Sequence, residues 1–278
     1  MKLFILLAIF LFSGSCSSEP TIFKPVTKTI KLIKPIKVDK KTHDLISSKA
    51  QIFKVMVIDS GIDPHKDLVN HVKYIKDSVD YTDELGHGTH VAGTIALGEN
   101  LKDPLCHNVE IYSCKGFTSS EDTTRCINKA IEDKFTHINI SLSGEGAVLS
   151  EFLALQKFLK RKGTKVTVAV GNGDDITGFD LTKRPQYPAS YIDGLKIRGK
   201  MQYLPNGFFV VQNLCPDGVC QSSNTHPKAV SMNGFNLYST NRGGGYDYRN
   251  GTSQASPNYL HLILKQQCEN LKIKLIKE

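Results

Sequence analysis

The chain has 278 residues, 40% of them hydrophobic and 22% charged, with 22 Gly, 11 Pro and no Trp. That balance excludes a disordered, collagen-like or multi-span membrane protein and leaves room for one large domain with a sizeable core. The net charge of +8 is unevenly spread: nine lysines stand against three acids between Met1 and Ala50, which leaves +2 for the remainder.

Lys2 precedes an apolar run from Leu3 to Phe12, followed by Ser13-Gly14-Ser15-Cys16. The run is too short to span a bilayer as a helix, which takes about 20 residues. A basic start, a short apolar stretch and small residues read as a signal peptide over residues 1–15. Two readings of the cut stay open. The small residues before Cys16 resemble the lipobox of bacterial lipoproteins, although Ser13 stands where that motif usually has Leu; Cys16 is then a lipid anchor attaching the chain to a membrane. The other reading is plain cleavage near Ser15, with Cys16 left free. Both export the chain, secreted or anchored at the cell envelope, into an oxidising compartment. Residues 16–48, with Pro20, Pro25, Pro35 and evenly spaced lysines, read as a basic tether too poor in apolar residues to build a core. Its lysines are not interleaved with aromatics and no recognition fold follows, so nucleic acid is not an expected partner.

Residues 49–278 read as the folded domain. The spacing predicts strands over 54–58, 109–112, 138–142 and 165–170 and helices over 91–97, 123–133 and 149–161, with a last helix over 256–277. Strand and helix alternate as in βαβ units, so the fold class is α/β: a doubly wound, mostly parallel central sheet with helices on both faces. Residues 201–224, with Pro205, Gly207, Pro216 and Gly218, read as an irregular surface insertion.

Three stretches carry chemistry. VMVIDSGID (55–63) puts Asp59 at the end of a buried strand, GHGTHVAGT (86–94) puts His87 at a helix start, and NGTSQASP (250–257) puts Ser253 behind Gly-Thr at another. A serine hydroxyl becomes a nucleophile when a base stands within about 2.6–3.2 Å and an acid holds that base in its tautomer. These stretches, in this order, resemble the signatures of the subtilisin-like serine peptidases, over roughly residues 50–260. The resemblance implies that Asp59 orients the imidazolium, that His87 rather than His90 is the general base, and that Ser253 is the nucleophile. TVAVGNGDD (167–175) matches the place of the family's oxyanion-hole asparagine, here Asn172, joined by the Ser253 backbone N–H. Ser141, Leu142, Ser143 and Gly144 resemble the strand that pairs with extended substrate, and Ala169, Val170 and Gly171 the opposite wall of the pocket. The implied activity is that of an exported endopeptidase acting on proteins or peptides; the alternative is an inactive surface binding protein of the same fold. No cofactor is required for this chemistry. Calcium is not indicated: Asp80, Asp83 and Glu84, and Asp174 with Asp175, read as solvated loop carboxylates. The tether is too short and polar for the folded pro-domain usual in the family, and nothing fixes the oligomeric state.

Seven cysteines divide into Cys16 and six in the body. Cys215-Pro-Asp-Gly-Val-Cys220 brackets a turn and reads as a local disulfide. For Cys106, Cys114, Cys126 and Cys268 three pairings stay open, and none of them has zinc-ligand spacing.

Overall fold

The computed structural model describes residues 51–73, 81–117, 119–173 and 177–277. The signal peptide, Cys16, the tether, Asp80, Asp174 and Asp175 lie outside the described residues.

The sheet is built on β1 (Phe53–Asp59), whose sequence FKVMVID is nearly all apolar because both faces are covered. Side chains alternate across a strand. Met56 and Ile58 enter one core with Cys126, Ile127, Phe152 and Phe158. Val55 and Val57 enter a second with Val91, Ile95, Leu260 and Leu264. The first core is roofed by α2 (Ser120–Glu132) and α3 (Leu149–Leu159), the second by α1 (His87–Leu97) and α4 (Thr252–Lys277). Helices thus lie on both faces, as the alternation predicts.

The other strands are β2 (Val72–Lys73), β3 (Val109–Lys115), β4 (His137–Ile140), β5 (Lys165–Ala169), β8 (Phe208–Cys215), β9 (Gly218–Val219) and β10 (Val230–Asn233). They lie in the order β10-β8-β5-β4-β1-β3-β2, all parallel along this path, with β9 pairing antiparallel on β8. Two hairpins stand apart: β6 (Leu195–Ile197) with β7 (Lys200–Gln202), and β11 (Leu237–Thr240) with β12 (Tyr246–Arg249).

The stretch 201–224 corrects the sequence reading. It contains β8, which pairs with β5 on one side and β10 on the other, and its Val210 and Val211 are fully buried. The flanking Pro and Gly mark turns around an internal strand. Cys215 is bonded to Cys220 across the β8–β9 turn. Of the three pairings left open, the structure has Cys106–Cys268 and Cys114–Cys126.

Candidate active site

Ile58 and Ile140 are register partners on neighbouring strands. Asp59 at the end of β1 and Ser141 just past β4 therefore stand about one strand spacing, ~4.8 Å, apart at the carboxyl edge of the sheet. In open α/β sheets ligands bind at that edge. Two helix starts hang on these two residues.

The first is α1. His87 is its first residue, and His87 Nδ1 lies 2.7 Å from Asp59 Oδ1. An ionised carboxylate only accepts, so Nδ1 carries the proton and Nε2 is left as the basic nitrogen. Asp59 is buried, and its Oδ1 also accepts from the Ser60 backbone N–H at 2.7 Å. Burial favours the neutral imidazole of His87, but the charge of Asp59 and its hydrogen bond outweigh this, and the net pKa lies above the ordinary 6.5. His90, one turn on, is wholly buried with Nε2 3.1 Å from the Leu237 carbonyl, and burial brings its pKa down to about 4. His87 alone of the two can exchange a proton with a substrate near neutral pH.

Asp83 is not the solvated carboxylate that its loop position predicts. It is 2% exposed and caps α1: Oδ1 accepts from Gly86 N at 2.8 Å and Ser60 Oγ at 2.7 Å, and Oδ2 accepts from Thr89 N at 2.8 Å and Thr89 Oγ1 at 2.6 Å. The N-cap residue itself, Gly86, has a φ of 69° and offers no side chain. Asp83 satisfies the orphan amides in its place. An Asp just before a helix start is the signal that reveals it.

The second helix is α4, with Ser253 as its second residue. Ser253 Oγ donates to the Ser141 carbonyl at 3.1 Å, and Ser141 Oγ donates back to the Ser253 carbonyl at 2.9 Å. Pro257 explains the second bond. With no N–H, it cannot serve the carbonyl four residues earlier, which is that of Ser253, and Ser141 does so instead. Behind Ser141 lies a buried polar relay: Asn139 Nδ2 donates to Ser141 Oγ at 2.9 Å, while Asn139 Oδ1 accepts from Thr167 Oγ1 at 3.0 Å and Ser256 Oγ at 2.9 Å. Sequence reading missed Asn139, Thr167 and Ser256; the signal is the polar phase of an otherwise apolar strand, HINI.

Asn172 lies three residues past β5. Its Oδ1 accepts from Thr252 N at 3.1 Å, which leaves the exposed side-chain NH₂ to donate elsewhere. The Ser253 N–H, in the first turn of α4, has no acceptor within its helix. The two expected substrate walls also come together. Ser143 and Gly144 are exposed, whereas Leu142 is half-buried and Ala169 and Val170 pack inward. Gly171, at a φ of 90°, approaches so closely that a Cβ there would stand 2.7 Å from Ser143 Oγ. Among the described residues no group of three or more His, Cys, Asp or Glu is placed to hold a metal ion.

A family model described as the subtilase family matches residues 51–259, three quarters of the chain. The chain belongs to the subtilase family. Among its relatives, subtilisin DY of Bacillus licheniformis is 31% identical over 214 residues, covering 73% of this chain and 72% of that one. The thermostable alkaline protease of Halalkalibacterium halodurans is 29% identical over 215 residues, 73% of this chain and 54% of that protein. The major intracellular serine protease of Bacillus subtilis is 28% identical over 252 residues, 82% of this chain and 73% of its own length. The chain spans about half the length of several of the relatives it matches, 54% and 42% in two cases. Among solved structures, a cold-adapted subtilisin-like serine proteinase aligns with a TM-score of 0.61 at 23% identity, over 78% of this chain and 76% of that one. That likeness concerns the fold, which is the subtilisin-like α/β fold.

Proposed function

We infer that this subtilase is an exported serine endopeptidase acting on protein or peptide chains, with Asp59, His87 and Ser253 as its triad. The observation that carries the reading is the 2.7 Å bond from His87 Nδ1 to Asp59, with Ser253 held on the adjacent strand by Ser141. In this mechanism the Ser253 hydroxyl turns from the Ser141 carbonyl, to which it donates in the structure, to His87 Nε2. Ser253 Oγ then attacks the scissile carbonyl carbon while its proton passes to Nε2. The oxyanion that forms takes hydrogen bonds from the Asn172 side-chain amide and the Ser253 N–H. His87 returns the proton to the departing amine, leaving an acyl-enzyme. Water, deprotonated by His87, releases the acid and restores Ser253. The Lys2 and Leu3–Phe12 pattern supports export, with lipidated Cys16 as the membrane attachment if the lipobox reading holds; among the described residues no helix is long and apolar enough to cross a membrane.

A fluorophosphonate probe tests the reading directly. Wild-type chain takes up one label and Ser253→Ala takes up none. Absence of label on the wild type, under conditions that label a control serine peptidase, overturns it.

A further inference from the structure

A cavity of about 230 Å³ is lined among others by Gly116, Phe117, Ser143, Gly144, Tyr187 and Glu151. One wall, Leu142 to Gly144, directly continues from Ser141, whose carbonyl holds the Ser253 hydroxyl. A peptide with its scissile carbonyl at Ser253 and its chain along Ser143 and Gly144 lays a side chain over this opening.

The odd member of the lining is Glu151. It is 3% exposed, the rest of the lining is glycine, hydroxyl and apolar side chains, and no cation lines the cavity. Glu151 Oε2 lies 2.9 Å from the Tyr191 hydroxyl, which also lies 2.9 Å from the Val148 carbonyl and accepts from Val148 N at 2.8 Å. A phenol has one proton to give. It shares that proton between the Glu151 carboxyl and the Val148 carbonyl, both of which accept from it. Burial, partly offset by the hydrogen bond that the Tyr191 hydroxyl donates, pushes the Glu151 carboxyl up to about 7. The other titratable groups facing it are Tyr191 and Tyr187; Glu121 and Asp122 in the first turn of α2, and the exposed Glu145–Arg184 pair, do not line the cavity. A buried acid in the lining of a cavity that holds no cationic side chain is a site where a bound cation can replace the proton and pair with the carboxylate.

We propose that Glu151 is a specificity-determining residue: the cavity takes a lysine or arginine side chain of the substrate, on the amino-terminal side of the scissile bond, and pairs it with the Glu151 carboxylate. An apolar side chain would leave that carboxyl desolvated, with only the shared Tyr191 proton as partner. The proposal rests on the peptidase reading above.

The test is a peptide series carrying lysine, arginine, norleucine or glutamine in turn at each of the four positions before the cut, with kcat/KM measured at pH 6 and pH 8.5. At one position lysine or arginine should exceed norleucine by about tenfold or more at pH 8.5. The ratio should shrink at pH 6, where Glu151 holds its proton; taking the ratio at one pH cancels the His87 titration. In Glu151→Gln the ratio should fall to about one, and in Glu151→Leu norleucine should win. No basic preference at any position, or a preference that survives Glu151→Gln, overturns the proposal. A binding arm separates it from the peptidase reading. By fluorescence anisotropy on Ser253→Ala, the lysine peptide should bind about tenfold tighter than its norleucine analogue, and E151Q in that background should abolish the difference. A chain that takes no fluorophosphonate label defeats the peptidase reading, yet this arm still decides the cavity; equal binding of the two peptides overturns it.

Discussion

At the residue scale, the site depends on how two imidazoles of one helix are set apart. His87 meets a carboxylate at the carboxyl edge of the sheet, whereas His90 meets only a carbonyl in the core. The raised pKa of His87 comes from Asp59 acting against burial, and under the proposed mechanism it sets the pH dependence. A general base works when neutral, so kcat/KM should rise with pH through a midpoint above 6.5. Asp59→Asn removes the charge that holds the proton, leaving burial opposed only by the weaker pull of Asp83. The midpoint should move below 6.5, and the rate should drop by about 10⁴ because the amide favours the wrong tautomer. A pH–rate profile of both proteins checks this, and an unmoved midpoint would contradict it. These residues were legible because each sits in a short motif whose order and spacing carry meaning. Asp83 was also within reach, as an acid just before a helix start. Glu151 was not. In sequence it is an ordinary acid in the first turn of a helix, whereas in the fold it is buried, with Tyr191 packed against α3.

At the element scale, alternation along β4 divides labour between the two faces. Ile138 and Ile140 pack into the core under α2 and α3, and Asn139 points the other way into the relay with Ser141, Thr167 and Ser256. The sheet is thus apolar where it only needs to cohere and polar where it fixes the start of α4. Asn139→Ala should leave two buried hydroxyls, those of Thr167 and Ser256, without this acceptor, at a cost on the order of 3 kcal/mol, since each buried group left unpaired costs about 1–3 kcal/mol. It should also lower kcat more than it raises KM, because Ser141 loses the partner that aims it at Ser253. Urea unfolding alongside steady-state kinetics separates the two effects; a stability loss with kcat unchanged would reduce the relay to packing. The strands and helices around β1 were readable from period and apolar runs. β8 was missed because Pro and Gly on both sides drew attention away from Phe208–Val211, a four-residue apolar run that is itself a strand signal. The last helix, read over 256–277 from its apolar spacing, starts at Thr252, and the bond that Pro257 cannot make to the Ser253 carbonyl is supplied by Ser141.

At the scale of the whole molecule, the cysteines show where sequence gives out. Spacing singled out the short Cys215–Cys220 loop, but pairing the other four requires knowing which Cα atoms approach within bonding range. The fold brings Cys106 to 6.0 Å from Cys268 and Cys114 to 5.9 Å from Cys126. The first bridge ties α4, which carries Ser253, to the segment after α1, which carries His87, across a sequence separation of 162 residues. Cross-linking removes more freedom from the unfolded chain as the closed loop lengthens. On that scale the three bridges are worth about 5, 3 and 2 kcal/mol for separations of 162, 12 and 5 residues. Replacing each pair by serine should therefore lower the urea midpoint in the order Cys106/Cys268, then Cys114/Cys126, then Cys215/Cys220. Because the long bridge ties α4, which bears Ser253, to the segment after α1, its loss should also let inactivation precede unfolding as denaturant rises. If the Cys215/Cys220 pair proves the costliest, the bridges act through local packing around β8 and not through the freedom of the unfolded chain.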